Sequence, residues 1–224
     1  MKCRKFDIRQ WVLVTDWNPL TIWCYAEPYI RFPASDFDFN QIHNRYAHLS
    51  NNSVAKNSKN VTTSYHIEGN MWTLAEFQDH LIDEYGYDVW EEKISEGIKN
   101  VVINTLESVQ DVFENKNGQQ FEMFGYDIMV DDNFNCWLIE VNSSPAMDYS
   151  TDVTERLVKM VSEDTIKVVV DYAMASDKKK KKVDTGLYEC IYKAKRMVDK
   201  PMGSFGLNLE IKGNKIPKNK LKNF

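Results

Sequence analysis

The stretch WLIEVNSSP, residues 137–145, places an ionisable side chain inside an apolar segment. Glu140 follows three apolar residues, and the amide of Asn142 comes two positions later. Desolvating a charge is costly, so an apolar strand rarely carries a carboxylate without a partner. A second apolar segment, FEMFGYDIMVD at 121–131, carries Asp127 and is joined to the first by the polar turn DDNFN.

The two segments have the pattern of a β-hairpin. With a two-residue turn at Asn133 and Phe134, Asp127 faces Glu140, and their Cβ atoms are roughly 5 Å apart. Asn142 shares that face, because side chains alternate along a strand. Two carboxylates so close would repel, and a divalent cation removes the conflict. All three groups offer hard oxygens, which suits Mg²⁺. A solvated hairpin face without metal is the alternative that spacing leaves open.

A second group of polar residues lies near the start of the chain. In KFDIRQWVLVT, the side chains of Lys5, Asp7 and Arg9 alternate with apolar ones and point to one face. An exposed strand edge with mixed charges is the simplest interpretation. Arg31, in YIRFP, has apolar neighbours, where a guanidinium requires a carboxylate or a phosphate. The segment AHLSNNS, which includes Ser50, adds further polar groups.

The remaining pattern predicts strands flanked by helices. Strands are predicted at 5–15 and 20–26, around a turn at 16–19. A helix is predicted to begin near Thr73, where Glu76 completes a capping box. Apolar residues at helical spacing predict two longer helices, at 88–114 and 151–175.

Composition and charge restrict the classes of protein. The chain has 224 residues, 43% of them apolar, which is enough for a real core. Its four cysteines form no C-x-x-C pair, which argues against a disulfide framework or zinc site and favours a reducing cytosol. No apolar run is long enough to predict a membrane span, and the first residues lack a secretory signal.

The net charge of −5 hides a division along the chain. Residues 1–176 hold 14 basic and 28 acidic residues, a net −14, whereas 177–224 hold 14 basic and 5 acidic residues, a net +9. The run Lys178–Lys182 is either a solvated segment or a site of attraction for a polyanion. Nucleic-acid binding would depend on this run alone, so it is not expected.

Five segments, in this order and spacing, resemble the tubulin tyrosine ligase-like family of ATP-grasp enzymes: KFDIRQWVLVT, YIRF, HLSNNSV, FGYDIMVD and WLIEVNSSP. FDIRQWVLVTDWNPLTIW and HLSNNSV look most like the tubulin glycine ligases, the monoglycylase branch. The resemblance covers residues 4–172. It implies an α+β fold, the C-terminal part of an ATP-grasp domain, in which an antiparallel sheet has flanking helices.

The family's N-terminal nucleotide-clamp portion has no counterpart in this sequence. We therefore expect residues 1–175 to hold half of an active site, so that the chain as it stands is an inactive fragment. We expect residues 176–224 to form a basic, flexible tail.

The resemblance also implies roles for individual residues. The positions that contact ATP in the family are occupied by Lys5, Asp7, Ser50 and Asn51. The positions of its magnesium ligands are occupied by Asp127, Glu140 and Asn142. The arginines associated with substrate carboxylates correspond to Arg9 and Arg31, which are the expected catalytic residues.

The activity implied is ATP- and Mg²⁺-dependent addition of glycine to glutamate side chains of tubulin tails, through an acyl phosphate. The expected partners are then tubulin and glycine, and the expected location is the cytoskeleton, on the microtubules of cilia and axonemes. Two alternatives remain open: a glutamate or tyrosine ligase of the same family, and a truncated, non-catalytic microtubule-binding module.

Overall fold

The computed structural model describes residues 4–58, 63, 66–110 and 120–198. Within them, one antiparallel sheet contains seven strands. The strands are β1 (Asp7–Trp17), β2 (Leu20–Tyr25), β3 (Tyr29–Arg31), β4 (Met71–Thr73), β5 (Glu122–Val130), β6 (Cys136–Asn142) and β7 (Tyr188–Lys193). The α-helices are α1 (Arg45–His48), α2 (Asn52–Ala55), α3 (Leu74–Tyr85), α4 (Ser95–Glu107), α5 (Asp152–Ile166) and α6 (Asp177–Lys180). The α+β fold with an antiparallel sheet and flanking helices is therefore confirmed.

Strand β1 lies in the middle of the sheet. It pairs with β5 along one side, and on the other side with β3 near its start and β2 near its end. Strand β4 continues the sheet beyond β3, β7 beyond β2, and β6 beyond β5. The prediction that β1 presents an exposed, charged edge was wrong, because β5, more than a hundred residues further along the chain, covers that side.

Helices cover both faces of the sheet. On one face, Ile8 and Val12 of β1 belong to a core that includes Phe77 of α3 and Ile98 of α4. On the other face, Trp11 of β1 packs in a second core with residues of α5 such as Leu157. Because successive side chains of a strand point to opposite faces, the odd-numbered residues at the start of β1 lie on the α5 side.

The helix starts follow the sequence signals. Thr73 accepts from the backbone N–H of Glu76, whose carboxylate accepts from the Thr73 N–H, which confirms the predicted capping box. Helix α3 ends at Gly86, whose φ of +79° suits glycine. Thr151 caps α5 in the same way, with Thr154 as its reciprocal partner.

The two longer helices contain π-helical turns. The helix predicted at 88–114 consists of a π-helical stretch, Trp90–Ile94, followed by α4; residues 111–114 lie outside the described residues. The helix predicted at 151–175 is α5 followed by a π-helical stretch, Lys167–Tyr172.

The β5–β6 hairpin pairs Asp127 with Glu140, as predicted, but its turn differs. Phe134 adopts a φ of +66°, and its N–H donates to the Asp131 carbonyl, in a loop of three residues rather than two. A register shift next to Asp127 leaves Ile139 without a partner on β5. This bulge offsets the extra loop residue and keeps the two carboxylates opposite each other.

Part of the segment for which the sequence predicts a flexible tail belongs to the sheet. Strand β7 pairs with β2 from Thr21 to Tyr25. The buried carboxylate of Asp164 accepts from the Leu187 N–H at 3.0 Å and from the Tyr25 hydroxyl at 3.1 Å, which holds the start of β7 against α5. The rest of the predicted tail, 199–224, lies outside the described residues.

Candidate active site

A buried ionic network lies on the α5 side of the sheet, at the start of β1. Arg9 Nε donates to Asp127 Oδ1 at 2.6 Å, and Arg31 Nε donates to Asp7 Oδ1 at 2.6 Å. Arg31 also reaches Asp127, with 2.8 Å between Nη2 and Oδ2, and so links the two pairs. These four side chains alternate in charge and are at most 8% exposed.

Strand register explains why these residues meet. Arg9 lies opposite Asp127 on β5, and Asp7 lies opposite Arg31 on β3. Directly opposed residues share a face and have neighbouring Cβ atoms, so each arginine is placed beside a carboxylate. The sequence-based requirement that Arg31 should have an anionic partner is thus met by Asp7.

Gly125 provides the space that Arg9 occupies. A Cβ at this position would lie 3.4 Å from Arg9 Cδ and 2.9 Å from Pro145 Cβ. The missing side chain lets the guanidinium lie across β5 and lets the loop after β6 approach the sheet. Sequence reasoning did not single out this glycine, although its place two residues before Asp127 in FGYD is a signal that can be recognised.

The network favours the charged forms of Asp127 and Arg31. Burial by itself would raise the pKa of Asp127, but the hydrogen bond from Arg9 and the charges of both arginines lower that pKa overall. Burial would lower the pKa of Arg31, and its hydrogen bonds and charge interaction with Asp7 raise it instead. Because each charge is paired, the desolvation cost is offset within the network.

Glu140 and Asn142 form the exposed rim of this site. Glu140 lies opposite Asp127 on the edge strand β6 and is exposed. The side-chain nitrogen of Asn142 donates to Glu140 Oε1 and to the Gly125 carbonyl, both at 3.3 Å. The three predicted metal ligands therefore lie on one face, with Asp127 at the buried end and Glu140 at the exposed end.

The donor set of these residues fits Mg²⁺. Two carboxylates and one amide carbonyl are hard oxygen donors. Oδ2 of Asp127 faces the guanidinium groups of both Arg9 and Arg31, whereas Oδ1 accepts only from Arg9 Nε and keeps a second lone-pair direction available. Among the described residues, no three His, Cys, Asp or Glu side chains form a group that could hold a metal ion, and the third protein donor of this set is the amide of Asn142.

Lys5, just before β1, lines an aromatic cavity of about 270 Å³. Its Nζ is 5.8 Å from the centre of the Phe37 ring. Other residues that line the cavity are Phe6, Phe77, Met129 and Phe134. Phe6 and Phe77 belong to the core on the α3 and α4 side of the sheet, so the cavity lies mainly on that side and is separate from the ionic network.

Of the two predicted nucleotide contacts Ser50 and Asn51, only the first makes a hydrogen bond to the ionic network. The Ser50 hydroxyl donates a short hydrogen bond to Asp7 Oδ2. Asn51 is exposed and precedes α2, where its carbonyl accepts from the Val54 and Ala55 N–H groups. Ser50 is thus joined to the ionic network, whereas Asn51 lies at its margin.

The fold therefore combines an antiparallel sheet between helical layers with paired arginines and carboxylates on one face. The chain belongs to the tubulin-tyrosine ligase family, whose model matches residues 1–180.

Its curated relatives are glycylases. It is 49% identical to "Tubulin glycylase 3C" of Tetrahymena thermophila, over 98% of this chain and 21% of that protein. It is 39% identical to "Tubulin monoglycylase TTLL3" of Homo sapiens, over 96% of this chain and 27% of that protein. It is also 39% identical to "Protein monoglycylase TTLL8" of Mus musculus, over 96% of this chain and 25% of that protein. The chain thus spans about a quarter or less of these relatives. In the described residues, none of the helices is long and apolar enough to cross a membrane.

Proposed function

We propose that this chain carries part of the active site of an ATP-dependent ligase that joins glycine to glutamate side chains of tubulin tails. The observation that carries the proposal is the single face on which Asp127, Glu140 and Asn142 lie beside two buried arginines, in a chain of this family. The names of the glycylase relatives support glycine as the amino acid and tubulin as the acceptor.

Asp127, Glu140 and Asn142 are the proposed Mg²⁺ ligands. Held by these residues, Mg²⁺ would supply the positive charge that neutralises the negative charge developing in phosphoryl transfer. Asp127 holds a fixed position because two arginines anchor it, and Glu140 on the rim can adjust to the cation. The remaining coordination positions are open to water and phosphate, which is usual for Mg²⁺ in proteins.

Lys5, Asp7, Ser50 and Asn51 are the proposed nucleotide contacts. The aromatic cavity beside Lys5 offers flat apolar walls on which a base can stack. The Lys5 ammonium, which lines this cavity, would attract phosphate. Ser50 and Asp7 share a hydrogen bond, so a nucleotide hydroxyl or phosphate there would meet a polar pair of fixed geometry.

The two arginines are the proposed catalytic contacts. A carboxylate does not react with an amine until it is activated, and transfer of the ATP γ-phosphoryl group to the glutamate side chain gives an acyl phosphate. The glycine amine then forms the amide bond, phosphate leaves with the electron pair of the broken C–O bond, and the amine releases a proton. Arg9 would hold the acyl phosphate and Arg31 the glycine carboxylate, each by charge-assisted hydrogen bonds from the terminal nitrogen that does not contact an aspartate; the reverse assignment fits the chemistry equally well.

The aspartates orient both guanidinium groups for this work. Asp127 accepts from Nε and one terminal nitrogen of Arg9, and Asp7 accepts from the same pair of nitrogens in Arg31. The other terminal nitrogen of each arginine is the one that would reach a substrate. An arginine held in this way loses little side-chain entropy when a carboxylate or phosphate binds.

The test is amino-acid incorporation by the full-length protein. Tubulin, Mg²⁺ and ATP are incubated with labelled glycine, glutamate or tyrosine, and incorporation is compared between the parent and Glu140→Gln. The matched control is Glu122→Gln, which changes an exposed glutamate on the other strand of the same hairpin. We expect glycine incorporation by the parent and the control, and its loss in Glu140→Gln. Incorporation of glutamate or tyrosine instead would contradict glycine specificity.

A non-catalytic microtubule-binding module is the second candidate. It predicts that the full-length protein binds microtubules without incorporating any of the three amino acids. In that case Mg²⁺–ATP binding, measured by calorimetry, should also be absent.

A further inference from the structure

The outer side of the helix that begins with α5 carries a row of exposed apolar side chains. Ile166, Val170 and Met174 are 59%, 42% and 78% exposed within the described structure. Residues four apart lie on the same side of a helix, so the three form one stripe, here called the apolar stripe. The opposite side of the helix, with Leu157 and Val168, packs in the core under the sheet. A helix with apolar residues on both sides is typical of an element packed between two partners.

Four exposed lysines follow the apolar stripe directly. They are here called the lysine cluster: Lys178, Lys179, Lys181 and Lys182. The remaining lysine, Lys180, is held by an ion pair and a cation–π contact. Its Nζ lies 3.1 Å from Asp177 Oδ1 and 5.6 Å from the centre of the Tyr172 ring. The start of the cluster is therefore held against the end of the helix, and Lys178 follows Met174, the last residue of the apolar stripe, by four positions.

The combined surface is remote from the candidate active site. The helix begins at Thr151, near β4, where the Thr151 hydroxyl donates to Met71 Sδ at 3.3 Å. The apolar stripe begins 15 residues later, which is about 22 Å at the rise of an α-helix. A ligand on this surface would not touch the ionic network, so the surface suits docking rather than catalysis.

We propose that the apolar stripe and the lysine cluster together dock an acidic amphipathic helix of a partner protein. A row of apolar residues at four-residue spacing fits the apolar side of a second helix, which would supply most of the affinity. The lysine cluster would attract acidic residues of that helix and set its direction. A purely acidic segment would use the lysines and leave the stripe exposed, so it explains only half of the surface.

The charges beside the apolar stripe favour a protein partner over a membrane. Glu163 and Asp171 are exposed on the same helix. Anionic lipid headgroups would be attracted to the lysine cluster but repelled by these two carboxylates. A helical partner can place a basic or neutral residue opposite each of them.

The test is fluorescence anisotropy with the full 224-residue chain and synthetic peptides. The probe is a labelled helical peptide of about 18 residues, or five turns, with leucines at i, i+3, i+4 and i+7 spacing, glutamates at one end and neutral glutamines elsewhere. The comparison probes are a peptide of the same composition with the leucines scattered, an all-glutamate peptide, and vesicles containing phosphatidylserine. We expect the amphipathic peptide to bind about tenfold or more tightly than either comparison peptide, as burial of one or two apolar side chains provides.

Variants locate the binding surface. The double change Val170→Ser with Met174→Ser should weaken binding of the amphipathic peptide about tenfold, whereas Met197→Ser, at an equally exposed methionine outside the surface, should have no effect. Replacing the lysine cluster with glutamine should weaken binding at low salt and flatten its salt dependence, whereas Lys56→Gln should not. The changed residues are exposed, so the thermal midpoints should match that of the parent.

Three results would overturn the proposal. The first is equal affinity for the amphipathic and scattered peptides, and the second is undiminished binding by the Val170/Met174 double variant. The third is tighter binding to the vesicles than to the amphipathic peptide, which would make the surface a membrane contact. The assay involves no catalysis, so these results are independent of the ligase proposal.

Discussion

The two carboxylates proposed to bind Mg²⁺ should respond very differently to the loss of their charge. Asp127 is 3% exposed and lies between two arginines, whereas Glu140 is exposed at the sheet edge. Asp127→Asn leaves the buried guanidinium groups of Arg9 and Arg31 with one carboxylate, Asp7, between them. Glu140→Gln removes a charge that water already solvates.

The expected magnitudes follow from burial. Removing one partner of a buried ion pair costs about 3–5 kcal/mol, because the remaining charge stays desolvated. For a chain of this size, each kcal/mol lost from the free energy of unfolding lowers the thermal midpoint by about 2–4 °C. Asp127→Asn should therefore lower the midpoint by about 6–20 °C. Glu140→Gln should change the free energy of unfolding by about 0.5 kcal/mol or less, as surface substitutions usually do. Both variants should lose Mg²⁺-dependent nucleotide binding.

Thermal and urea unfolding of the chain without ligand, followed by calorimetric titration with Mg²⁺–ATP, measures both effects. Asp83→Asn is the matched control, since it makes the same chemical change at an exposed position of α3 outside the site. It should alter neither stability nor binding. The reasoning would be refuted by equal destabilisation in Asp127→Asn and Asp83→Asn, or by unchanged Mg²⁺–ATP affinity in Glu140→Gln.

Three further predictions concern single side chains. Gly186→Ala places a Cβ 1.9 Å from Asp164 Cγ, whereas the Cβ of the control Gly86→Ala, at another positive φ, would have no atom within 4 Å. In unfolding experiments Gly186→Ala should therefore lose about 1.5–3 kcal/mol more free energy of unfolding than Gly86→Ala. Equal losses in the two variants would contradict this. Hydrogen bonds, chiefly from the Asn135 side chain, lower the pKa of Asp131 to about 2, so its contribution to stability is present above pH 4 and lost as the pH falls towards 2. An NMR titration should find that low pKa, and Asn135→Ala should return it towards 3.8. Ser50→Thr should keep both the hydrogen bond from the hydroxyl to Asp7 and the affinity for Mg²⁺–ATP. Ser50→Ala should weaken Mg²⁺–ATP binding, measured by calorimetry, about tenfold. A similar loss in both variants would exclude a role for the hydroxyl.

Local sequence determined the elements and the chemistry that they carry. The capping residues Thr73 and Thr151 mark the starts of α3 and α5, because a hydroxyl at the N-cap satisfies a free N–H wherever the helix later packs. The opposition of Asp127 and Glu140 could also be predicted, because a short hairpin leaves few choices of register. Even there, two errors cancelled: the loop has three residues instead of two, and the bulge at Ile139 compensates for the difference.

Long-range packing decided the environment of the site, which the sequence alone could not. Alternating charges at Asp7 and Arg9 are typical of an exposed strand, and they became a buried network only because β5 and β3 pair with β1 on both sides. Each of these charged residues pairs with a residue from a distant segment of the chain: Arg9 with Asp127, and Asp7 with Arg31. The same holds for β7, which lies within the basic C-terminal segment and pairs with the strand β2 near the beginning of the chain. The spacing of residues within a segment determines which side chains share a face of the strand. Only the tertiary structure determines which other segments pack against that face.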